Sequence, residues 1–145
     1  MTPQQFIDAA LELPETDECE PFGPGAPVYR VAGQHMFAVL MGGADQGGDD
    51  DVPATVNLKC DPGLALELRK QYPAVTPGYH MSKRHWNSVL LDGTVPDDEI
   101  AEMLRHSYVL VASNLRRVDR DRVLAKLGEE PPDAGGAGTA APEKA

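Results

Sequence analysis

The chain has 145 residues, 41% hydrophobic and 25% charged, with a formal net charge of -10. That balance excludes the low-apolar, high-charge composition of an unfolded chain, and the length suits one domain with a single core. No apolar run is long enough to cross a bilayer, the N-terminal "MTPQQFIDAALELPE" lacks the basic leader of a signal peptide, and Cys19 and Cys60 form no C-x-x-C pair, so a cytoplasmic protein in a reducing compartment is expected.

Thr2-Pro3-Gln4-Gln5 predicts a helix start: a hydroxyl N-cap, proline at the first helical position, and Gln5 placed to close a capping box. Phe6, Ile7, Ala10 and Leu11 recur at helical spacing until Pro14 ends the element. The prolines and glycines of "CEPFGPGAP" force turns, and "VYRVAGQHMFAVLMG" then reads as two strands of a hairpin joined by Ala32-Gly33-Gln34. "GGADQGGDDDVP" has almost nothing to bury and predicts an acidic loop from Asp45 to Asp51, without the D-x-D-x-D-G spacing of a calcium loop.

"ATVNLKC" alternates, placing Val56, Leu58 and Cys60 on a buried face and Asn57 and Lys59 outward. Asp61-Pro62 starts a second helix, with Ala65, Leu68 and Tyr72 as its apolar stripe and Pro73 as its stop. "SVLLDG" is a short strand with an Asp-Gly turn. Asp97, Asp98 and Glu99 then complement the macrodipole in the first turn of the longest helix, whose core face is Ile100, Met103, Leu104, Ser107, Tyr108, Val111 and Leu115. Beyond Arg116 the stripe fades, and Val123, Leu124 and Leu127 support one further turn. The expected layout is a domain over residues 1–117, a short helical extension over 118–128 and a disordered Gly/Pro/Ala-rich tail over 129–145. Because the strands cluster instead of alternating strictly with helices, the fold class is α+β: an antiparallel sheet packed by three helices.

Charge is unevenly spread. Residues 56–91 carry Lys59, Arg69, Lys70, Lys83 and Arg84 against Asp61 and Glu67, a basic stretch in an acidic chain and the place for an anionic partner. Within it, "PGYHMSKRHWNSVLLDG" sets His80, Lys83, Arg84 and His85 beside the single tryptophan, Trp86. A helical turn begun at Ser82 would aim free N–H groups and the Lys83 and Arg84 side chains at a phosphate, with Trp86 as a stacking face. The competing reading anchors Trp86 and Tyr79 in the core and leaves Lys83 and Arg84 solvated. "RRVDRDR", Arg116 to Arg122, reads as self-paired surface charge.

His80 and His85 are five residues apart, which fits no helical metal pair, and neither a metal nor a cofactor is expected. Cys60 alternates with core residues, which argues against a nucleophile, and His106 and Tyr108 read as packing or hydrogen-bonding residues. No catalytic constellation is found, so an enzyme is not the expectation.

The strings "VNLKCDP", "YPAVTPGYHMSKRHWNSVLLDG" and "HSYVLV" closely resemble the MmcQ/YjbR family of small bacterial proteins, over about residues 3 to 117. The resemblance implies a CyaY-like, or frataxin-like, α+β fold and a DNA-binding role assigned from a double-wing arrangement of hairpins. The family blocks fall on Lys59, on Gly78, Tyr79 and His80, on Lys83, His85, Trp86 and Asn87, and on His106, Ser107 and Tyr108. Arg84 and Ser82 look like variants of positions that are commonly Lys and Asn. The expected site is Lys59, His80, Lys83, Arg84, His85, Trp86 and Asn87, binding DNA or another nucleic acid weakly. The alternative is a small anionic ligand or a protein partner on the same patch. A monomer without membrane contact is the default.

Overall fold

The capping box forms as its spacing requires. In a computed structural model, which describes residues 1–42 and 53–128, Thr2 Oγ1 accepts from Gln5 N at 3.1 Å and Gln5 Oε1 accepts from Thr2 N at 2.9 Å. Helix α1 (Pro3–Glu12) follows, burying Phe6 and Ala10. Strand β1 (Thr16–Cys19) pairs with β2 (Val28–Val31), and β2 turns into β3 (His35–Met41) through Ala32 and Gly33, at φ 54 and 64. Ala32 and Gly33 are the central residues of a turn closed by Gln34 N donating to Val31 O at 3.0 Å, and positive φ at both suits the right-handed twist of the flanking strands. Then come β4 (Thr55–Lys59), α2 (Pro62–Gln71), β5 (Val75–Pro77), β6 (Trp86–Leu90), α3 (Asp97–Ala112) and α4 (Arg117–Leu127). The six strands lie in the order β1-β2-β3-β4-β6-β5, every neighbouring pair antiparallel.

Register decides the two faces. Tyr29, Ala38, Leu58 and Val56 with Val89 face the helices and join one core with Phe6, Leu68, Ile100, Leu104 and Tyr108. The opposite face carries the row Val28, Val39, Asn57 and Ser88, buried outside that core. The register of β2 against β3 slips after Tyr29. Opposite the slip, Ser107 Oγ donates to Phe37 O at 2.6 Å and accepts from Lys59 N at 2.9 Å, tying α3 across β3 and β4.

Two expectations need correction. The short helical extension expected over 118–128 is a full fourth helix, α4, 11 residues long, so helices number four among the described residues, not three. Its apolar content is small, but Val123 and Leu124 both reach the core. Its polar side is held by Glu15, at φ 53, which accepts from Arg122 at 2.7 and 2.8 Å and from Lys126 at 2.9 Å. Within α4, Arg122 also pairs with Asp119 at 2.8 Å and Arg120 with Asp121 at 3.1 Å, the self-pairing expected of this segment. Second, Asn57, expected outward, is 1% exposed. The predicted acidic loop from Asp45 to Asp51 and the tail over 129–145 lie outside the described residues. Among those described, no helix is long and apolar enough to cross a membrane.

Candidate functional site at the β5–β6 hairpin

The expected basic cluster falls on the hairpin joining β5 to β6. Gly78 N donates to Trp86 O at 2.8 Å, closing the last rung, and the chain between them forms the tip. No side chain fits at Gly78, since a Cβ there would sit 2.6 Å from Trp86 Cβ and 3.0 Å from Trp86 O. The return limb is a single helical turn: Ser82 O accepts from His85 N at 3.2 Å and from Trp86 N at 3.0 Å. Cys60 N donates to His85 O at 2.8 Å, and Lys59 stands opposite Trp86 in the β4–β6 ladder, so the turn is fused to the end of β4.

A polar network fixes the outgoing limb. Asn57 and Ser88 are ladder partners on the helix-free face, 1% and 4% exposed, and Ser88 Oγ donates to Asn57 Oδ1. Tyr79 N donates to Ser88 Oγ at 2.9 Å and Asn57 Nδ2 donates to Tyr79 O at 3.0 Å. Two buried side chains thus hold the backbone of Tyr79 while its own side chain remains out: the residue is 58% exposed. His80 follows in the left-handed region at φ 61, with its ring centroid 3.9 Å from that of Tyr79. A non-glycine residue held there is uncommon, and such backbone concentrates at binding sites.

The expected site therefore divides. His80, Arg84 and His85 are exposed around the tip, and Lys59 is half-buried beside it. Arg84 makes no side-chain hydrogen bond or ion pair among the described residues. Lys83 is exposed overall, but its Nζ donates to Gly78 O at 2.9 Å, so its charge braces the loop instead of standing clear. Trp86 is 8% exposed, packed behind Gly78, which removes it as the stacking face. Tyr79, expected in the core under the competing reading, takes the exposed place. Asn87 is 2% exposed and, opposite Leu58, lies on the helix face away from the tip.

Arg69, absent from the expected site, staples these parts together. From α2 its Nε donates to Asn87 Oδ1 at 2.7 Å, and its guanidinium also reaches the carbonyls of Lys83 and Trp86, the latter at 3.3 Å. A basic residue in the last turn of a helix usually reads as dipole compensation, which hid this one. Asn57 and Ser88 could have been found as polar residues in the middle of strand patterns.

The other titratable candidates are shifted by burial. Burial pushes the Cys60 thiol up to about 11, with the Asp61 carboxylate adding to the effect. His106 Nε2 accepts from Asp61 N at 3.2 Å, and burial lowers its pKa against the opposing pull of the Asp61 carboxylate. Among the described residues no group of three or more His, Cys, Asp or Glu is placed to hold a metal.

Comparison with known proteins gives consistent neighbours. The YjbR family model matches residues 11–110. The Escherichia coli O157:H7 protein YbdF is 36% identical over 114 residues, spanning 79% of this chain and 87% of its own length. Bacillus subtilis YyaQ is 40% identical over 68 residues, 47% of this chain and 54% of its own. The crystal structure of Deinococcus radiodurans DR2400, with a DUF419 domain, superposes with a TM-score of 0.74 at 33% identity, covering 97% of this chain and 96% of that one. A Pseudomonas syringae protein gives a TM-score of 0.65 at 35% identity, over 77% and 99% of the two chains. None of these names carries an activity or a ligand.

Proposed function

The chain belongs to the YjbR family, and from that premise we propose that its β5–β6 tip binds single-stranded nucleic acid weakly, one base stacking on the Tyr79–His80 pair and the adjoining phosphate meeting Arg84, with Lys59 at the edge. The observation that carries this reading is the exposed Tyr79 ring on a backbone anchored by buried Asn57 and Ser88. A side chain kept in water on so rigid a mount is suited to face a ligand, and a base–aromatic stack contributes about 1–3 kcal/mol. Tyr79 and His80 leave the Gly78–Trp86 rung on one side while Arg84 and His85 return to it on the other, so ring and cation belong to the same short tip.

Duplex DNA fits less well. Its binders contact about 6 to 10 phosphates, whereas this tip offers Arg84 and Lys59, with Lys83 turned to Gly78 O. Two phosphate contacts on a single strand predict about a 7-fold loss of affinity between about 50 mM and about 200 mM salt, from a slope of about -0.7 per contact.

Fluorescence anisotropy of a labelled oligothymidylate, compared with a duplex and with inorganic phosphate as competitor, tests this. Saturable binding of the single strand with that shallow salt dependence, weakened by Tyr79→Ala and by Arg84→Ala, supports it. Equal binding by the Tyr79→Ala protein would refute it, and preference for the duplex with a steep salt slope would restore the double-wing reading.

A further inference from the structure

We propose that the cleft between α2 and α3 is a second binding site, for a small organic amine that carries an apolar body and a hydrogen-bond acceptor. Helix α2 packs toward the β5 edge and α3 lies across β3 and β4, so the strip over β4 and β6 between them is left open. The result is a cavity of about 520 Å³, inside the about 300–1,000 Å³ range of small-molecule sites.

Its chemistry is mixed in an ordered way. Leu58, Leu68, Val89 and Met103 form aliphatic walls, and Leu64, 40% exposed, stands at the margin. Within the lining lies Asn87, 2% exposed, whose Nδ2 has no hydrogen-bond partner. Its amide cannot simply be turned over, because Arg69 Nε, a donor, holds Oδ1 at 2.7 Å. A buried N–H₂ is therefore committed to the other direction and lacks an acceptor. Native interiors rarely leave a buried donor unmade, and an acceptor on a bound molecule would satisfy it.

Charge selects the rest of the ligand. Asp98, Glu102 and His106 recur every four residues along the lining side of α3, with Glu99 beside them, and Lys59 is the one lysine or arginine of the lining. The helix dipole accounts for acids in the first turn, Asp98 and Glu99, but not for Glu102 in the second. His106 is not an acid, and because its Nε2 already accepts from Asp61 N, the neutral ring carries its proton on Nδ1, which is a donor. An anion would face three carboxylates here, whereas an ammonium group would face them favourably while its apolar body lay on the leucine walls. This site is separate from the tip but adjoins it, since Arg69 holds both Asn87 and the carbonyls of the Lys83–Trp86 turn.

Phenylalaninamide supplies an ammonium, an apolar ring and a carbonyl, and N-acetylphenylalanine supplies the same body as an anion. Each is titrated to tens of millimolar into the full chain labelled with nitrogen-15. The proposal expects the amine to shift the Asn87 side-chain amide and the Met103 backbone amide saturably. It expects the Glu102→Gln protein, altered at an exposed position, to bind about 3- to 5-fold more weakly, the scale of one exposed charge pair. Absence of those shifts, or equal binding of the anion with no effect of Glu102→Gln, would overturn it. The Asn87→Leu protein, which also gives up the acceptor for Arg69 Nε and should therefore melt several degrees below the parent, should lose the amine, and retained amine binding would overturn the proposal.

Discussion

Gly78→Ala and Gly63→Ala should move stability in opposite directions. At Gly78 the added methyl would stand 2.6 Å from Trp86 Cβ and 3.1 Å from Trp86 C, where ordinary contact begins near 3.4 Å, so β5 and β6 must part by most of an ångström. That separation breaks the Gly78 N to Trp86 O bond, now 2.8 Å, at about 1 kcal/mol. Forced packing of this kind adds about 1–2 kcal/mol, giving about 2–3 kcal/mol in all and a melting temperature lower by roughly 10 °C. At Gly63, in the first turn of α2, a Cβ meets Asp61 Oδ2 at an ordinary 3.4 Å. Lower chain entropy in the unfolded state should then raise stability by about 0.5 kcal/mol. Thermal and urea unfolding of both proteins provide the assay, with oligothymidylate binding as a second readout, lost in Gly78→Ala alone. A Gly78→Ala protein that melts with the parent and binds equally would refute the close-approach argument.

Glu15 is the clearest pH prediction. Its hydrogen bonds to Arg122 and Lys126 hold its carboxyl at about 2 against an ordinary 4.5. A lowered carboxylate contributes stability that is complete above pH about 4.5 and lost as the pH falls toward 2. The contribution should be about 1 kcal/mol for this largely solvated network, and Glu15→Gln should flatten the unfolding profile in that window. Thiol titration at pH 8 should find Cys19 reactive in the native protein and Cys60, buried and held protonated, reactive only after unfolding. Two equally fast native thiols would contradict that burial. Leu124→Ala should cost about 2–5 kcal/mol by urea unfolding, since α4 belongs to the core; no loss would make α4 an appendage.

Helices α1, α2 and α3 were legible because their signals are local. A threonine cap, Pro after Asp61, and the Ile100-to-Leu115 stripe each state their element without reference to the rest of the chain. The strands β1 and β5 were not. Thr16–Cys19 is acidic, and it pairs because Arg30 meets Asp17 at 2.9 Å and Tyr29 donates to Glu18 at 3.0 Å, contacts made from across the ladder. Val75–Pro77 is three residues long at a sheet edge. Alternation correctly put Asn57 opposite Val56 and Leu58, but alternation assumes that the second face is wet, and here the Tyr79 backbone covers it. The composition around Trp86 located the candidate tip. It could not distribute the roles within it, because which aromatic is out and which cation is spent depends on Gly78 admitting Trp86 against the backbone. Arg69 and the cleft beside Asn87 depend wholly on how α2 and α3 diverge.

The central claim is that the hairpin tip, and Tyr79 within it, is the nucleic-acid contact. Backbone amide shifts of the full chain during titration with a short oligothymidylate test it most directly. The account predicts shifts concentrated at Tyr79, His80, Arg84 and His85, fading as salt rises, with Glu102 and Met103 in the cleft unmoved. Shifts confined to the cleft, or spread over β1–β3 with the tip silent, would contradict it.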